Sequence, residues 1–369
     1  MFNAEPTQLP QQYRVLAGKS ILVTGAAGFI GGALFRRLAS YGLDVVGTVL
    51  QPNEARTLRN QGYEAHVLDL AGTESWDELL AGIDVVFHVA ALFQEVKYGA
   101  VHYDKVNHLG ALRLAQTAAR AGVARFIHCS TVGVHGSVKE IPATEQTPFN
   151  PMDVYHQTKL AGELAIVEYA RNAVGNRMTV VVNRPAMVYG PGDLRMLKLF
   201  DRVLSGRFRM IGSGATLAHL GYIEDQTDSF LLCAVAPRDS VHCEAFNIAS
   251  DEPVTLNKLV AQIAAAGGVR VPRLHVPVAP VWVAALACEL ICKPLGLDPP
   301  LFRRRVGFFT HNRAFDLSKA KQHLGYHCQW PLDDGISATI DWYRSKNLVP
   351  RAEDLRRSER FEKDDSSLQ

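Results

Sequence analysis

Short, almost wholly apolar runs alternate with helix-length patterns through the first half of the chain. The apolar runs predict strands at Ser20–Thr24, Asp44–Leu50, Ala65–Leu68, Asp84–Val89, Arg125–Cys129 and Thr179–Asn183. The patterns between them predict helices at Phe29–Tyr41, Glu54–Gln61, Trp76–Ala81, Asp104–Ala121 and Val154–Asn172. Apolar strands that alternate with helices are typical of a parallel sheet covered on both faces. Right-handed crossovers then predict an α/β fold with a doubly wound parallel sheet.

The pattern changes after Gly190-Pro191-Gly192, where helices and short strands follow one another irregularly. We therefore divide the chain into a polar N-terminal extension (1–18), a first lobe (19–192), a smaller second lobe (193–349) and a charged tail (350–369). Some segments of the second lobe are expected to return to the first. The tail has little apolar surface to bury, so we expect it to be disordered. Two lobes that face each other form a cleft, the usual place for a ligand.

The composition is typical of a globular protein, since 47% of the 369 residues are hydrophobic and 21% are charged. Lys and Arg (39) nearly balance Asp and Glu (37), and the net charge of +2 provides no basic field for nucleic acid. The six cysteines include no C-x-x-C pair, so we expect reduced, mostly buried thiols, and we expect no metal site. The N-terminus lacks the regions of a secretory signal, which favours a cytoplasmic protein.

One long apolar stretch, Val276–Leu297, precedes three consecutive arginines at 303–305. Three prolines leave only about thirteen residues of uninterrupted helix, whereas a membrane span needs about twenty apolar residues. The stretch thus predicts a helix that packs on the core of the second lobe. The alternative is peripheral membrane contact through residues 276–305, because an apolar helix with a basic flank can lie on a membrane surface.

A glycine-rich turn, Gly25-Ala26-Ala27-Gly28-Phe29-Ile30-Gly31, joins the first predicted strand to the first predicted helix. Glycines in this position let the backbone approach a pyrophosphate at the N-terminus of the helix. The turn predicts a dinucleotide site, with candidate cofactor-binding residues Gly25, Ala27, Gly28, Phe29, Ile30 and Gly31. It assigns the first lobe as a Rossmann-type NAD(P)-binding domain and the second as a smaller, partly helical C-terminal substrate lobe.

The sequence leaves the choice between NAD and NADP open. No acid ends the second strand, where an NAD enzyme binds the ribose 2′-hydroxyl. The nearest base, Arg56, would meet a 2′-phosphate only if it folded back toward the strand. Segments after the third and fourth strands add further candidate cofactor-binding residues: Asp69 and Leu70 for the adenine, and Val89, Ala90 and Ala91 where the backbone passes close to the cofactor.

Tyr155 and Lys159 are four residues apart at the start of a predicted helix and so share one face. A lysine ammonium one turn away stabilises a phenolate and makes the tyrosine a better acid–base group at neutral pH. Ser130 and Thr131 follow the fifth strand at the same edge of the sheet, where a hydroxyl can hold a substrate oxygen. Asn107 could connect to Lys159 through a water molecule. Together these residues predict a catalytic site.

These motifs resemble those of the extended short-chain dehydrogenase/reductases, also called the NAD-dependent epimerase/dehydratase family. The resemblance extends over nearly the whole chain and includes T-G-A-A-G-F-I-G, Y-H-Q-T-K and R-P-A-M-V-Y-G-P-G-D. It implies that Tyr155 is the acid–base residue, that Lys159 also binds the nicotinamide ribose, and that Thr131 replaces the usual serine. It further implies that Pro185 and Val188 lie beside the nicotinamide carboxamide.

The same resemblance implies a homodimer joined through the two long helices at 104–121 and 154–172.

Departures from the family pattern bear on the substrate. Sugar 4,6-dehydratases of this type carry Asp-Glu where this chain has Val132 and Gly133. Nucleotide-sugar epimerases have Phe-Asn where it has Ala186 and Met187, and their diphosphate-binding arginine is missing before Tyr222. A diphosphate would lose charge-assisted hydrogen bonds, so we expect an apolar substrate.

The chain is closest in pattern to the 3β-hydroxysteroid dehydrogenase and sterol-4α-carboxylate 3-dehydrogenase branch, with dihydroflavonol-reductase-like enzymes as a neighbouring option. Candidate substrate residues are Leu92, Phe93, Tyr98, Met187 and Tyr222, with Phe309 as a further pocket wall. The favoured function is an NAD(P)-dependent oxidoreductase that interconverts a secondary alcohol and a ketone on an apolar, sterol-like molecule, with oxidative decarboxylation of a 4-carboxysterol as one form. The alternatives are a nucleotide-sugar 4-epimerase and a non-catalytic NAD(P)-binding scaffold or sensor.

Overall fold

The computed structural model of the chain describes residues 7–93, 98–172, 177–292 and 303–350. The strands in these ranges are β1 (Ser20–Thr24), β2 (Asp44–Val49), β3 (Glu64–Val67), β4 (Val85–His88), β5 (Arg125–Cys129), β6 (Thr179–Pro185), β7 (Met187–Tyr189), β8 (Met210–Ile211), β9 (Leu217–Ala218), β10 (Leu220–Tyr222), β11 (Glu244–Ile248), β12 (Val254–Thr255) and β13 (His275–Val276). The predicted tail beyond residue 350 lies outside the described residues, as does the end of the apolar stretch.

The helices are α1 (Phe29–Ser40), α2 (Pro52–Asn60), α3 (Asp77–Leu80), α4 (Ala100–Asp104), α5 (Ala111–Arg120), α6 (Val154–Asn172), α7 (Leu197–Leu204), α8 (Ile223–Val235), α9 (Arg238–Val241), α10 (Leu256–Gly267), α11 (Val278–Cys292), α12 (Arg303–Thr310), α13 (Ser318–Leu324) and α14 (Leu332–Ser345). Two 3-10 turns cover Gln11–Leu16 and Val132–His135. A π-helical segment, Lys105–Gly110, joins α4 to α5.

Seven parallel strands form the main sheet in the order β3–β2–β1–β4–β5–β6–β11. The predicted doubly wound parallel sheet is therefore confirmed. Its central strands are buried almost throughout, because helices cover both faces. The strand order reverses between β1 and β4, and ligands of such sheets bind at the carboxyl ends of the strands beside the point of reversal.

The substrate lobe has its own apolar core, in which α10 packs against α7 and α14. Three two-stranded pairs, β7 with β10, β9 with β12 and β8 with β13, complete this lobe. The core includes Phe200 and Tyr343, whose rings meet edge to face at 5.4 Å. The lobe lies over the carboxyl edge of the main sheet, because β7 follows directly from β6.

Several segments outside the range 19–192 belong to the core of the cofactor lobe. Strand β11 is the last strand of the main sheet, and residues of α8 and α13 lie in the same apolar cluster as β1 and α1. The described part of the N-terminal extension joins this cluster through Tyr13 and Leu16, and the Tyr13 hydroxyl donates a hydrogen bond to Asp228. The expected return of later segments to the cofactor lobe thus involves α8, β11 and α13.

The predicted apolar helix corresponds to α11, which lies on the surface rather than inside the lobe. Four of its large apolar side chains are exposed: Trp282, Val283, Leu290 and Ile291. The small side chain of Ala285 is buried. The expected packing on the core therefore involves only a narrow face of the helix. Among the helices of the described ranges, none has the length and hydropathy needed to cross a membrane.

The six cysteines are all free thiols, as expected from their spacing. Cys129, Cys233 and Cys243 are buried, and the other three are half-buried.

Candidate active site

A cavity of about 1200 Å³ lies between the lobes, at the carboxyl ends of β1, β4, β5 and β6. The turns that follow these strands form one side of its wall, and α7 and α12 of the substrate lobe form much of the other. The cavity therefore occupies the place at which the strand order predicts a ligand.

The glycine-rich turn forms one end of the cavity. Gly25 has a φ of +73°, which favours glycine, and a Cβ at Gly31 would lie 2.4 Å from the Gly25 carbonyl oxygen. Helix α1 begins at Phe29 after an N-cap glycine, and no side chain caps its first backbone N–H groups. These groups remain available to a phosphate. All six residues predicted from the turn, Gly25, Ala27, Gly28, Phe29, Ile30 and Gly31, line the cavity.

Thr24 positions the turn after β4, which forms the next part of the cavity wall. The sequence did not predict this role. The Thr24 Oγ1 atom accepts hydrogen bonds from the backbone N–H groups of Val89 and Ala90, both at 3.0 Å, and lies 2.9 Å from Nδ1 of His88. The turn after β4 is thereby fixed against the glycine turn. Val89, Ala90 and Ala91 line the cavity, as predicted, so the backbone can pass close to a dinucleotide.

The adenosine end of the predicted site differs from expectation at Arg56. Asp69 and Leu70 line the cavity as predicted, but Arg56 is exposed on α2 and does not belong to the described cavity wall. The reason is that α2 begins at Pro52 with a capping box between Gln51 and Glu54. Leu50, Gln51 and Glu54 line the cavity in this segment, so the charged side chain that this segment brings to the wall is an acid rather than Arg56.

The predicted catalytic side chains belong to the wall of one cavity. Tyr155, Lys159, Ser130 and Thr131 all line it. The Tyr155 ring packs edge-on against Phe93, with 4.7 Å between the ring centres. Helix α6 presents Tyr155 and Lys159 on one face, and the turn after β5 brings the two hydroxyl residues to the same place.

The two neighbouring hydroxyls have different partners. Ser130 is buried, and its Oγ donates to Glu163, which forms an ion pair with the buried Arg184. Thr131 Oγ1 accepts a hydrogen bond from the Gly133 backbone N–H at 3.1 Å, which leaves its own O–H group able to donate. Thr131 is therefore the hydroxyl suited to hold a substrate oxygen, whereas Ser130 is engaged inside the protein.

Lys159 is 1% exposed. Burial lowers its pKa, although Cys129 and Glu163 act in the opposite direction. Burial, aided by the charge of Lys159, lowers the pKa of His88 to about 3 and that of His128 well below its ordinary value. The two imidazoles, 5.3 Å apart, are therefore neutral at pH 7 and do not add positive charge beside the lysine.

Asn107 was predicted to connect to Lys159 through a water molecule, but its amide binds other groups. Its Oδ1 accepts from the Leu92 N–H at 2.8 Å, and its Nδ2 donates to the Leu92 carbonyl at 3.0 Å and to Thr158 Oγ1 at 3.2 Å. It does not line the cavity among the described residues. Asn107 thus positions Leu92, a predicted pocket wall, because its amide is already occupied by backbone and hydroxyl groups.

Most predicted substrate residues line the cavity, together with the two that the family resemblance places beside the nicotinamide. These residues are Leu92, Phe93, Tyr98, Met187, Phe309, Pro185 and Val188. Tyr222 is the exception, and its assignment as a pocket wall was wrong. It is 4% exposed and packs against Tyr189 and Trp330, because β10 pairs with β7 inside the substrate lobe.

A side chain at position 133 has no room. A Cβ on Gly133 would lie 2.2 Å from the imidazole of His156, which itself lines the cavity. Where the resembling sugar dehydratases carry an acid, this chain therefore has an imidazole packed against a bare backbone.

The sequence analysis also missed a group of basic side chains. Arg195, Lys198, Arg202 and Arg209 line the end of the cavity that the substrate lobe contributes. Arg195 is held by Asp193 and by the Val188 carbonyl, at 2.7 and 2.8 Å, and lies against the ring of Phe29. Three of them, Arg195, Lys198 and Arg202, are three and four residues apart at the start of α7 and along it. This spacing was the available sequence signal for one shared face.

Comparison with known proteins agrees with this geometry. The family model described as "NAD dependent epimerase/dehydratase family" matches residues 21–249. The 3beta-hydroxysteroid-dehydrogenase/decarboxylase isoform 1 of Arabidopsis thaliana is 29% identical, over 87% of this chain and 78% of that protein. The UDP-glucose 4-epimerase of Mycolicibacterium smegmatis is also 29% identical, over 88% of this chain and 99% of that protein.

The fold is similarly shared with solved structures. The UDP-glucuronic acid 4-epimerase of Bacillus cereus, in complex with NAD, has a TM-score of 0.70 at 24% identity. The match covers 89% of this chain and 99% of that one.

Proposed function

The chain belongs to the NAD-dependent epimerase/dehydratase family, and we propose that it interconverts a secondary alcohol and a ketone on an apolar, sterol-like substrate. It is an NAD(P)-dependent enzyme of the short-chain dehydrogenase/reductase type. The observation that carries the proposal is that Tyr155, Lys159 and Thr131 line one cavity, together with the glycine turn and many apolar side chains.

The residues present fit a dinucleotide. The uncapped N-terminus of α1 and the close approach of Gly31 to Gly25 leave a cradle for the diphosphate. Asp69 and Leu70 would lie by the adenine, and Lys159 would hold the nicotinamide ribose. A bound nicotinamide would supply the redox chemistry, as acceptor or donor of the hydride at the carbinol carbon.

The protein's own groups then manage the proton and the oxygen. Thr131 donates a hydrogen bond to the substrate oxygen, and Tyr155 takes the hydroxyl proton during oxidation or returns it during reduction. The ammonium of Lys159 favours the tyrosinate that forms after proton loss, because opposite charges in a buried site attract strongly. Leu92, Phe93 and Met187 keep water from the reacting carbon.

The proposal predicts that Tyr155→Phe removes turnover without removing the cofactor site. We expect turnover with a panel of hydroxysteroids to fall by about 100-fold or more, since general acid–base groups contribute that much. NADH absorbance measures turnover, and fluorescence titration measures NADH binding. Tyr169→Phe, on the same helix but away from the cavity, is the control. Unchanged turnover in Tyr155→Phe would contradict the mechanism.

A nucleotide-sugar 4-epimerase is the second candidate, favoured by the equal identity to the Mycolicibacterium enzyme. Thermal unfolding with and without UDP-glucose separates the two, since a ligand that binds only the folded state raises Tm. A large shift with UDP-glucose and none with hydroxysteroids would favour the epimerase. The proposed oxidoreductase gives the reverse result.

A further inference from the structure

A second titratable side chain lies beside the predicted proton-transfer residue. His156 follows Tyr155 at the start of α6 and lines the same cavity, and the centres of the two rings are 5.1 Å apart. Consecutive helix residues point about 100° apart, so the cavity extends around the first turn of α6 to meet both side chains. The proposed interconversion of alcohol and ketone uses Tyr155 and gives His156 no role.

Asp153 fixes the imidazole of His156. Its Oδ1 lies 2.9 Å from the imidazole Nδ1 and also accepts the His156 backbone N–H, again at 2.9 Å. A carboxylate beside Nδ1 favours the tautomer with its proton on that nitrogen, which leaves a lone pair on Nε2. Both side chains are half-buried, so the imidazole can still exchange protons with water.

Gly133 leaves the space that Nε2 occupies. A Cβ at this position would lie 2.2 Å from both Nε2 and Cδ2 of the His156 ring. The Gly133 N–H donates to Thr131 Oγ1 at 3.1 Å, so the same turn carries the hydroxyl suited to hold the substrate oxygen. Within the described ranges, no group forms a hydrogen bond with Nε2 of His156. A nitrogen able to accept a proton therefore faces the turn that carries Thr131.

A ketone held in this cavity has acidic hydrogens on the carbons beside its carbonyl. Hydrogen bonds from Tyr155 and Thr131 to the oxygen stabilise the negative charge that develops there when such a hydrogen leaves as a proton. The ammonium of Lys159, which lines the same cavity, adds to this stabilisation. The base that takes the proton must lie to one side of the hydroxyl groups. His156 meets this requirement, and imidazole acts as an acid or a base near neutral pH.

We propose that His156 is a second proton-transfer residue of this cavity, which exchanges a hydrogen on the carbon next to the carbonyl. Nε2 takes that proton, the electrons of the C–H bond form a carbon–carbon double bond, and the carbonyl oxygen receives the proton of Tyr155. The enol returns to the ketone by the reverse transfers, so no oxidant or reductant is consumed. The activity goes beyond the proposed function but rests on it, because the same hydroxyls hold the ketone.

Deuterium uptake measures this exchange apart from hydride transfer. The NAD-loaded protein is incubated with 5α-androstan-3-one in deuterium oxide, and mass spectrometry follows the deuterium gained beside the carbonyl. We expect the wild type to exceed the rate without protein, and His156→Phe to lose about 100-fold of that acceleration or more. Oxidation of 5α-androstan-3β-ol, followed by NADH absorbance, should stay near the wild-type rate in the same variant, since His156 takes no part in hydride transfer.

Two further variants separate the imidazole from its surroundings. His108→Phe is the matched control, because His108 also lies 2.9 Å from a carboxylate, that of Asp104, but outside the described cavity wall. It should exchange deuterium like the wild type. Gly133→Ala keeps the imidazole but displaces it, and should lower the exchange as His156→Phe does.

Equal exchange by the wild type and His156→Phe, or no exchange above the rate without protein, would overturn the proposal. A parallel loss of exchange and of oxidation in His156→Phe would also overturn it, because the residue would then have a structural role. The two proposals fail separately. If no hydroxysteroid is oxidised but deuterium uptake depends on His156, the proposed function fails while the second proton-transfer residue stands.

Discussion

Ser130 and Thr131 are adjacent in the sequence but have different hydrogen-bond partners. Both are hydroxyls after the same strand, and nothing local separates their roles. The difference comes from Glu163, 33 positions away, whose carboxylate accepts the hydrogen bond of the Ser130 hydroxyl and pairs with Arg184. Sequence reasoning placed both hydroxyls at the edge of the sheet, where they line the cavity. It could not predict the partner of Ser130, which depends on the packing of α6 against the turn after β5.

The buried imidazoles of His88 and His128 predict a stability that falls with acid. Both have lowered pKa values, so the unfolded chain binds protons below about pH 6.5 while the folded chain does not. Each histidine should therefore reduce the free energy of unfolding by about 1.4 kcal/mol per pH unit below that pH. The effect of His88 continues down to about pH 3. Urea unfolding at several pH values measures the slope.

His128→Phe is the matching variant, because neither ring nitrogen of His128 has a hydrogen-bond partner among the described groups. It should make the dependence on pH shallower between pH 6 and 4. His66→Gln, at an exposed position, should leave the slope as in the wild type. A wild-type slope in His128→Phe would mean that other groups control acid unfolding.

Among the elements, the buried strands were the easiest to predict and the π-helical segment the hardest. Strands covered on both faces require continuous apolar runs, which the sequence displays directly. The segment 105–110 depends instead on a tertiary contact, since a Cβ at Gly162 of α6 would lie 2.2 Å from the Asn107 carbonyl oxygen. Periodicity shows a helix there but not the extra residue in its turn.

The exposed face of α11 predicts peripheral membrane binding. Trp282, Val283, Leu290 and Ile291 together offer an apolar surface that few monomeric proteins leave in water, and Val281 connects the same helix to the cavity. We propose a bilayer surface as the partner. Vesicles of phosphatidylcholine and phosphatidylglycerol should carry the wild-type protein in a flotation assay.

The double variant Val283→Glu, Leu290→Glu should remain in the unbound fraction, because it places charge in the apolar face. Val15→Glu, at an exposed apolar position elsewhere, is the control and should float like the wild type. Flotation of the double variant, or none for the wild type, would refute a membrane role for α11.

At the scale of the whole molecule, exposed apolar side chains on two long helical segments support the expected homodimer. Three apolar side chains are between 47% and 73% exposed: Val101 on α4, Leu109 on the π-helical segment and Leu164 on α6. We propose that a second copy covers them. Light scattering after gel filtration should give a dimer mass for the wild type and a monomer mass for Leu109→Glu, Leu164→Glu. A monomeric wild type would refute the interface.

The net charge of the whole protein does not indicate how charges are distributed in the cavity. The overall value of +2 correctly gives no strong global field, but it is a sum over the surface and hides the separation of signs inside the cleft. The cofactor end could be predicted because strand, turn and helix are contiguous in sequence. Part of the substrate end was also predicted, including Leu92 and Met187. The wall formed by α7, β13, α11 and α12 was missed apart from Phe309, because only the folded lobe brings these elements together.

The interleaving of the lobes has a consequence for protein engineering. Since α8, β11 and α13 belong with the cofactor lobe, a chimera cut once near residue 192 would take six strands of the main sheet from one parent and the seventh from the other. Exchange of substrate specificity with a relative requires three separate grafts, around residues 193–222, 254–310 and 332–349. The fold therefore resists recombination by a single crossover, although the first two grafts end before α8 and α13, which can stay unchanged.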